Sequence, residues 1–279
     1  MSDAQKAALL KLLGDEDPSV YQTIRSTILG LGAPVREWLE PCRLSNDPLV
    51  RRRSLEILQC MGRQHHDHLF LGFCLTHQGN HLDLEEAIWS LALTAYPDIN
   101  PLAYRALLDS YAGDLSRRIH SAKSGRAILE QFQDYFFERL GYSGNQQSYY
   151  EAANSYLNRV VDRRTGNPIS LSILYLLVGR RLGLPIQGIG LPSHFICRYQ
   201  SSTEEIYADP FNRGRLLSKQ DCIRYLAENY TGYEEQFLMP VSSRRILLRV
   251  CANLHQIASQ DANQGEITRF QRYLLALAQ

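Results

Sequence analysis

Apolar residues recur every three or four positions through most of the chain, which is the spacing of one face of an α-helix. The pattern changes between 186 and 209. Residues 186–190 form a short, β-branched segment interrupted by glycine, 194–199 alternates apolar and polar residues, and 205–209 leads into Asp209-Pro210. Ser201, Ser202 and Thr203 suit a turn between the last two segments. The sequence therefore predicts a predominantly helical α+β protein with a small antiparallel sheet.

The opening third contains two copies of a helix-start signal thirty residues apart, at Asp17-Pro18 and at Asp47-Pro48. An aspartate caps free N–H groups at a helix start, and the fixed φ of proline suits the first turn. Apolar residues at helical spacing follow each copy. Residues 1–82 are predicted to form a HEAT-like helical region, which offers a binding surface without chemistry of its own.

Residues 62–81 form a polar stretch that holds five of the eight histidines, and we expect an exposed loop or helix end there. These histidines are His65, His66, His68, His77 and His81. His77 and His81 are four positions apart, but Gly79 and Asn80 lie between them, so a shared helical face is doubtful. Metal-dependent hydrolysis would need three ligands at one open site. We predict no metal site and no cofactor, and metal binding by 65–81 stays an open alternative.

The strongest helix signal begins at Asn167-Pro168 and continues to residue 182, where Gly183 and Pro185 stop it. Asparagine as the cap, proline in the first turn and glycine after the last turn are typical helix punctuation. Apolar residues occur on nearly every side of this helix. Because no polar face is left for solvent, the helix is predicted to be buried.

Several ordered blocks around this helix resemble the bacterial transglutaminase-like proteins of the SirB type, whose domain also occurs in some eukaryotic F-box proteins. The blocks are Gly144-Asn145, 154–158, 163–172, 188–195 and 209–212. The resemblance covers 83–235, and 236–279 looks like the tetratricopeptide-like helical hairpin often found at the end of this family. It implies a papain-like core and a link to regulation of bacterial gene expression.

In such a core, a nucleophilic cysteine at the start of the buried helix faces a histidine and an aspartate on neighbouring strands. The histidine and the aspartate carry over to His194 and Asp209. The cysteine position falls at or near Pro168, and 166–172 contains no cysteine. Ser170 is the available substitute, although a helix-start serine commonly serves as a hydrogen-bonding residue. The enzyme assignment therefore leans to no.

The leading hypothesis is a non-catalytic or cryptically active protein that binds a peptide, protein or small ligand in a His/Asp cleft, with a regulatory role. Its candidate binding residues are Asn158, Arg164, Asn167, Ser170 and His194. The alternative is a hydrolase or acyltransferase with Ser170 as nucleophile, His194 as base and Asp209 as the residue that orients it.

Charge and cysteine usage indicate which kinds of partner and which cellular compartment to expect. Thirty basic residues against twenty-nine acidic ones give a formal net charge of +1, so we do not expect a nucleic-acid partner. The six cysteines form no CxxC pair, which favours reduced core residues. The longest apolar run, 173–178, is too short to span a bilayer. We expect a cytoplasmic protein with a protein or peptide partner.

Overall fold

The computed structural model describes residues 1–77, 82–229 and 235–279. These residues separate into two compact units. The first comprises Met1–Phe70 with Leu93–Ile99, and the second comprises Leu71–Ala92 with Asn100–Gln279. The division into regions 1–82, 83–235 and 236–279 stays a prediction.

The first unit is a set of helices with a continuous apolar core. It contains α1 (Asp3–Leu13), α2 (Pro18–Gly30), α3 (Val35–Leu39), a 3₁₀ turn (Glu40–Leu44) and the first part of α4 (Pro48–Thr76). The Asp17 carboxylate accepts a hydrogen bond from the Ser19 N–H at 2.8 Å, and Asp47 accepts one from the Leu49 N–H at 2.8 Å. Both Asp-Pro pairs therefore start helices.

The expectation of a loop or helix end over 62–81 was wrong for most of that stretch, since α4 continues without a break to Thr76. Phe70 and Cys74 lie four positions apart and are fully buried, so this polar segment still has an apolar face that holds it as a helix. His77 follows the helix end, and His81 lies outside the described residues. Within the described part of the chain, no group of three His, Cys, Asp or Glu side chains could hold a metal ion.

The second unit contains the remaining helices and all the strands. Its helices are α5 (Leu84–Ala95, with its last three residues in the first unit), α6 (Pro101–Ile119), α7 (Gly125–Gln133), α8 (Leu157–Arg163), α9 (Pro168–Arg181), α10 (Lys219–Asn229), α11 (Ser243–Gln260) and α12 (Gln264–Ala278). Shorter helical turns are Asp134–Arg139, Ala152–Asn154 and Glu235–Leu238. In the ranges the structure describes, no helix is both long and apolar enough to cross a membrane.

Two small sheets complete this unit. β1 (Ser143–Gly144) pairs in parallel with β2 (Thr165–Gly166). The larger sheet is antiparallel, in the order β3 (Ile186–Ile189), β4 (Ile196–Gln200), β5 (Glu205–Asp209) and β6 (Arg215–Leu217). The predicted fold class, mostly helical α+β with a small antiparallel sheet, is confirmed. Strand β6 was not predicted.

Helix α9 forms the centre of the second unit. It contacts β3, β4, α6, α8 and α11, and nearly all its side chains are buried, as the sequence predicts. Its last residue, Arg181, forms ion pairs with Glu85 at 2.7 Å and Asp109 at 2.6 Å. Gly183 adopts a φ of +65° just beyond the helix, a conformation that suits glycine. The fixed helix holds its N-terminus close to the sheet.

Candidate functional site

The His194 side chain is held by a tight turn between β3 and β4. The His194 N–H donates to the Leu191 carbonyl at 3.2 Å, and Ser193 in between has a φ of +53°, in the left-handed region that non-glycine residues rarely adopt. Nε2 of the His194 ring lies 2.7 Å from Oδ2 of Asp209 at the end of β5. The structure therefore brings together the predicted histidine and aspartate.

Asp209 is a buried carboxylate that accepts hydrogen bonds from His194 and Asn212. Asn212 donates to it from its side-chain amide at 2.8 Å and from its backbone N–H at 3.2 Å. Burial raises the pKa of Asp209, but the hydrogen bonds and charge of His194 and the bonds from Asn212 outweigh burial, so its pKa is lowered. The carboxylate is thus charged near neutral pH and accepts a hydrogen bond from Nε2 of His194.

This pairing fixes which ring nitrogen is left for other chemistry. Because a carboxylate only accepts hydrogen bonds, Nε2 of His194 carries a proton and Nδ1 is the second polar atom. Nδ1 makes no hydrogen bond to any residue that the structure describes. Phe211 and Tyr225 lie against the ring, with centroids 6.2 and 6.1 Å away. The ring is therefore oriented by protein contacts while Nδ1 keeps its bonding capacity.

Two cavities adjoin His194, with volumes of about 170 and 580 Å³. Tyr149, Pro168, Ser193 and His194 line both of them. The smaller cavity continues towards α11, and the larger one continues past Asp209 towards α10. The start of α9 and the imidazole thus meet at the middle of one cleft.

The helix start in this cleft is closed by a capping box. The Asn167 side chain accepts a hydrogen bond from the Ser170 N–H at 3.0 Å, and the Ser170 hydroxyl accepts one from the Asn167 N–H at 3.0 Å. The same hydroxyl donates to the Asn167 carbonyl at 3.1 Å, and Ser170 is 1% exposed. Asn167 lines the smaller cavity, whereas Ser170 lines neither. The Ser170 hydroxyl is occupied by the helix start.

Two cysteines lie near this region, and both are buried. Cys197 on β4 places its Sγ 3.7 Å from the Ser172 carbonyl, and burial raises its pKa to about 12. Cys222 on α10 lines the larger cavity but is 1% exposed, and burial again raises its pKa to about 12. A thiol with such a pKa stays protonated near neutral pH, so neither one is a ready nucleophile.

The other two predicted binding residues lie apart from the cleft lining. Asn158 on α8 is 1% exposed, and its Oδ1 has no hydrogen-bond partner among the described residues. Arg164 is exposed at the end of α8 with a φ of +54°. Neither side chain lines either cavity.

Sequence reasoning missed Arg249 on α11. Its guanidinium donates from Nη2 to the carbonyls of Leu191 and His194, at 2.5 and 2.7 Å, and lies 5.6 Å from the centre of the Phe195 ring. It therefore clamps both ends of the turn that carries the imidazole. Arg249 is fifty-five positions from His194 in sequence, and no local pattern signals this contact.

Tyr149 and Tyr150, which line the smaller cavity, were also missed. The buried Asn154 amide holds their loop by donating to the carbonyls of Ser148 at 2.7 Å and Tyr149 at 3.1 Å. The two tyrosines are 37% and 54% exposed, so the cleft has an accessible aromatic edge. Two adjacent tyrosines in a polar loop are the one local feature of the sequence that could have pointed to this edge of the cleft.

The fold and the site together define an α+β domain in which a histidine–aspartate pair on a small sheet meets the N-terminus of a buried helix. The family model described as "Transglutaminase-like superfamily" matches residues 102–252, which is more than half of the chain. The chain belongs to the transglutaminase-like superfamily.

Curated relatives agree with this assignment. A UPF0162 protein of Xylella fastidiosa is 37% identical over 174 residues, covering 60% of this chain and 62% of the relative. A UPF0162 protein of Vibrio cholerae is 31% identical over 156 residues, covering 54% of each. The mouse protein F-box only protein 21 is 32% identical over 142 residues, covering 48% of this chain and 22% of the relative. The matches thus span less than two thirds of these relatives, and no solved structure gives a significant match.

Proposed function

We propose that this chain is a transglutaminase-like protein of the SirB type that binds a peptide, protein or small ligand in the His194–Asp209 cleft, with a regulatory role and without covalent catalysis. The observation that carries the proposal is an oriented imidazole, 2.7 Å from its aspartate, beside a helix start that holds proline. An imidazole held in this way recognises a ligand as a donor or an acceptor without any nucleophile.

The hydrogen bonds that the Ser170 hydroxyl makes within the capping box support ligand binding over catalysis. A serine nucleophile needs its hydroxyl within hydrogen-bond reach of a general base. The Ser170 hydroxyl instead donates to the Asn167 carbonyl at 3.1 Å and is 1% exposed. To act as a nucleophile, it would have to leave the capping box, at a cost of about 1 kcal/mol for the lost cap.

The test pairs a turnover assay with a binding assay on the full chain. The probes are p-nitrophenyl acetate, capped peptide p-nitroanilides, and a panel of N-acetylated, C-amidated pentapeptides followed by chemical-shift changes in amide NMR spectra. Wild type is compared with Ser170→Ala, His194→Ala and the matched control His120→Ala, which removes an exposed histidine that lines neither cavity.

We expect no turnover, and peptide binding that survives Ser170→Ala and His120→Ala but weakens in His194→Ala. Turnover that disappears in both Ser170→Ala and His194→Ala would overturn the proposal in favour of a Ser-His-Asp hydrolase. Binding that is indifferent to His194→Ala would also overturn it, because the ligand would then lie elsewhere.

A further inference from the structure

One face of helix α11 forms a wall of the smaller cavity. The residues on this face are Arg249, Asn253, Gln256 and Ile257. They occupy positions i, i+4, i+7 and i+8, which lie on one side of a helix. The family model ends at 252. The last three of these wall residues therefore lie outside the part of the chain that the superfamily model describes.

The amides of Asn253 and Gln256 are available to a ligand. Neither side chain makes a hydrogen bond to a described residue, although Asn253 is half-buried and Gln256 is exposed on the cavity wall. By contrast, the Arg249 guanidinium on the same face is engaged with the carbonyls of Leu191 and His194. The wall thus presents two unengaged carboxamides beside a guanidinium whose Nη2 is already engaged.

The chemistry of this wall fits the main chain of a peptide. A carboxamide offers one acceptor and two donors, which match the N–H and C=O groups of a peptide bond. Ile169, Phe195 and Ile257 add apolar lining, and none of the described residues that line this cavity carries a carboxylate. A ligand rich in amides matches the two carboxamides and this apolar lining.

We propose that α11 is the specificity wall of the cleft, and that Asn253 and Gln256 recognise the main-chain amides of an extended peptide whose neighbouring residue contacts His194. This inference rests on the proposed function, since it names the ligand class and the residues that select it. The cleft passes His194 on both sides, from the cavity of about 170 Å³ to the one of about 580 Å³, which suits a chain that crosses the imidazole.

The experiment uses the same capped pentapeptide panel and the full chain, with Kd measured by NMR titration or calorimetry. Asn253→Leu and Gln256→Met remove each amide while keeping its approximate size. Gln260→Met is the matched control, because Gln260 is an exposed amide on the same helix that lines neither cavity. Leucine and methionine favour helix formation at least as well as the residues they replace, so folding is expected to persist. Thermal unfolding checks this.

We expect Asn253→Leu and Gln256→Met each to raise Kd about 2- to 10-fold, the effect of one net hydrogen bond, and Gln260→Met to leave it unchanged. If His194→Ala weakens binding but neither wall variant does, the wall assignment is wrong and the proposed function stands. If the peptides bind and neither His194→Ala nor the wall variants matter, both are wrong. A panel in which no peptide binds wild type overturns the peptide assignment outright.

Discussion

Placing a thiol at the helix start is the most direct test of the geometry around His194. Pro168 is the first residue of α9 and lines both cavities beside the imidazole, so Pro168→Cys puts sulfur at the position that we propose for the papain-like cysteine. Losing the fixed φ of proline is expected to lower the free energy of unfolding by about 0.4–1 kcal/mol, which the fold tolerates.

Three effects set the pKa of the introduced thiol. The helix N-terminus favours the thiolate by about 0.3–1 kcal/mol. An imidazolium at a separation of about 4 Å would add about 4 kcal/mol at an effective dielectric constant of about 20. Burial opposes both, and at fully buried Cys197 it raises the pKa from 9.0 to about 12. At about 1.4 kcal/mol per pKa unit, the helix and imidazolium effects together exceed even this burial penalty, by somewhat under one pKa unit. A smaller burial penalty would lower the pKa of the thiol further. We expect the pKa of the introduced thiol to lie below its usual 9.0.

Removing the imidazole is expected to reverse the direction of the pKa shift of the introduced thiol. In the double variant Pro168→Cys/His194→Ala only the helix N-terminus opposes burial, and about 1 kcal/mol is less than that penalty. The pKa of the thiol should then rise above its usual 9.0. The two variants together therefore separate the contribution of His194 from that of the helix.

The assay is the rate of iodoacetamide alkylation from pH 4 to 10, followed by intact mass spectrometry. Wild type supplies the background, since four of its six cysteines are buried and Cys42 and Cys60 are half-buried. A thiol that titrates at or above 9 in Pro168→Cys and does not respond to His194→Ala would refute the reasoning, because helix start and imidazole would then not be in contact.

Three further variants test the supports of the site. Ser170→Ala should lower the free energy of unfolding by about 1 kcal/mol, measured in urea, because it removes half of the capping box, and an unchanged value would contradict that role. Asp209 has a pKa below its usual 3.8, so it stabilises the fold above that pH and the contribution disappears as pH falls through the lowered value. Asp209→Asn should therefore show a shallower loss of stability on acidification in urea unfolding series, and parallel pH curves would argue against the charged pair. Arg249→Met should shift the His194 ring signals in NMR spectra and Arg249→Lys should partly restore them, whereas unchanged signals in Arg249→Met would show that the clamp does not position the ring.

Local chemistry explains why parts of the fold could be predicted. Helix α9 was predicted to within one residue, because Asn167, Pro168 and Gly183 act through their own backbone and immediate neighbours. The strand segment predicted at Glu205–Asp209 likewise matches β5. In such segments the residues that define the element also terminate it, so no tertiary information was needed.

Tertiary burial explains what could not be predicted. The polar stretch 62–76 is helical because Phe70 and Cys74 are buried, and their burial depends on the packed fold rather than on the local pattern. The clamp from Arg249 to the His194 turn likewise joins residues more than fifty positions apart. Sequence reasoning thus located the imidazole, its aspartate and Asn167, but not Arg249 or the two tyrosines at 149–150.

The proline at the helix start removes more than a nucleophile. A papain-like core with cysteine at this position would also have that residue's backbone N–H, and a first-turn N–H is a natural donor to a developing oxyanion. Pro168 lacks both the sulfur and the N–H, and the Ser170 N–H two residues further on is committed to Asn167 at 3.0 Å. Pro168 therefore lacks both the nucleophile and the N–H donor that acyl transfer would use at this position, while His194 and Asp209 are present. Pro168→Ala returns only the donor and Pro168→Cys returns both, so comparing the two variants in the ester assay would divide any gain in turnover between the nucleophile and the N–H.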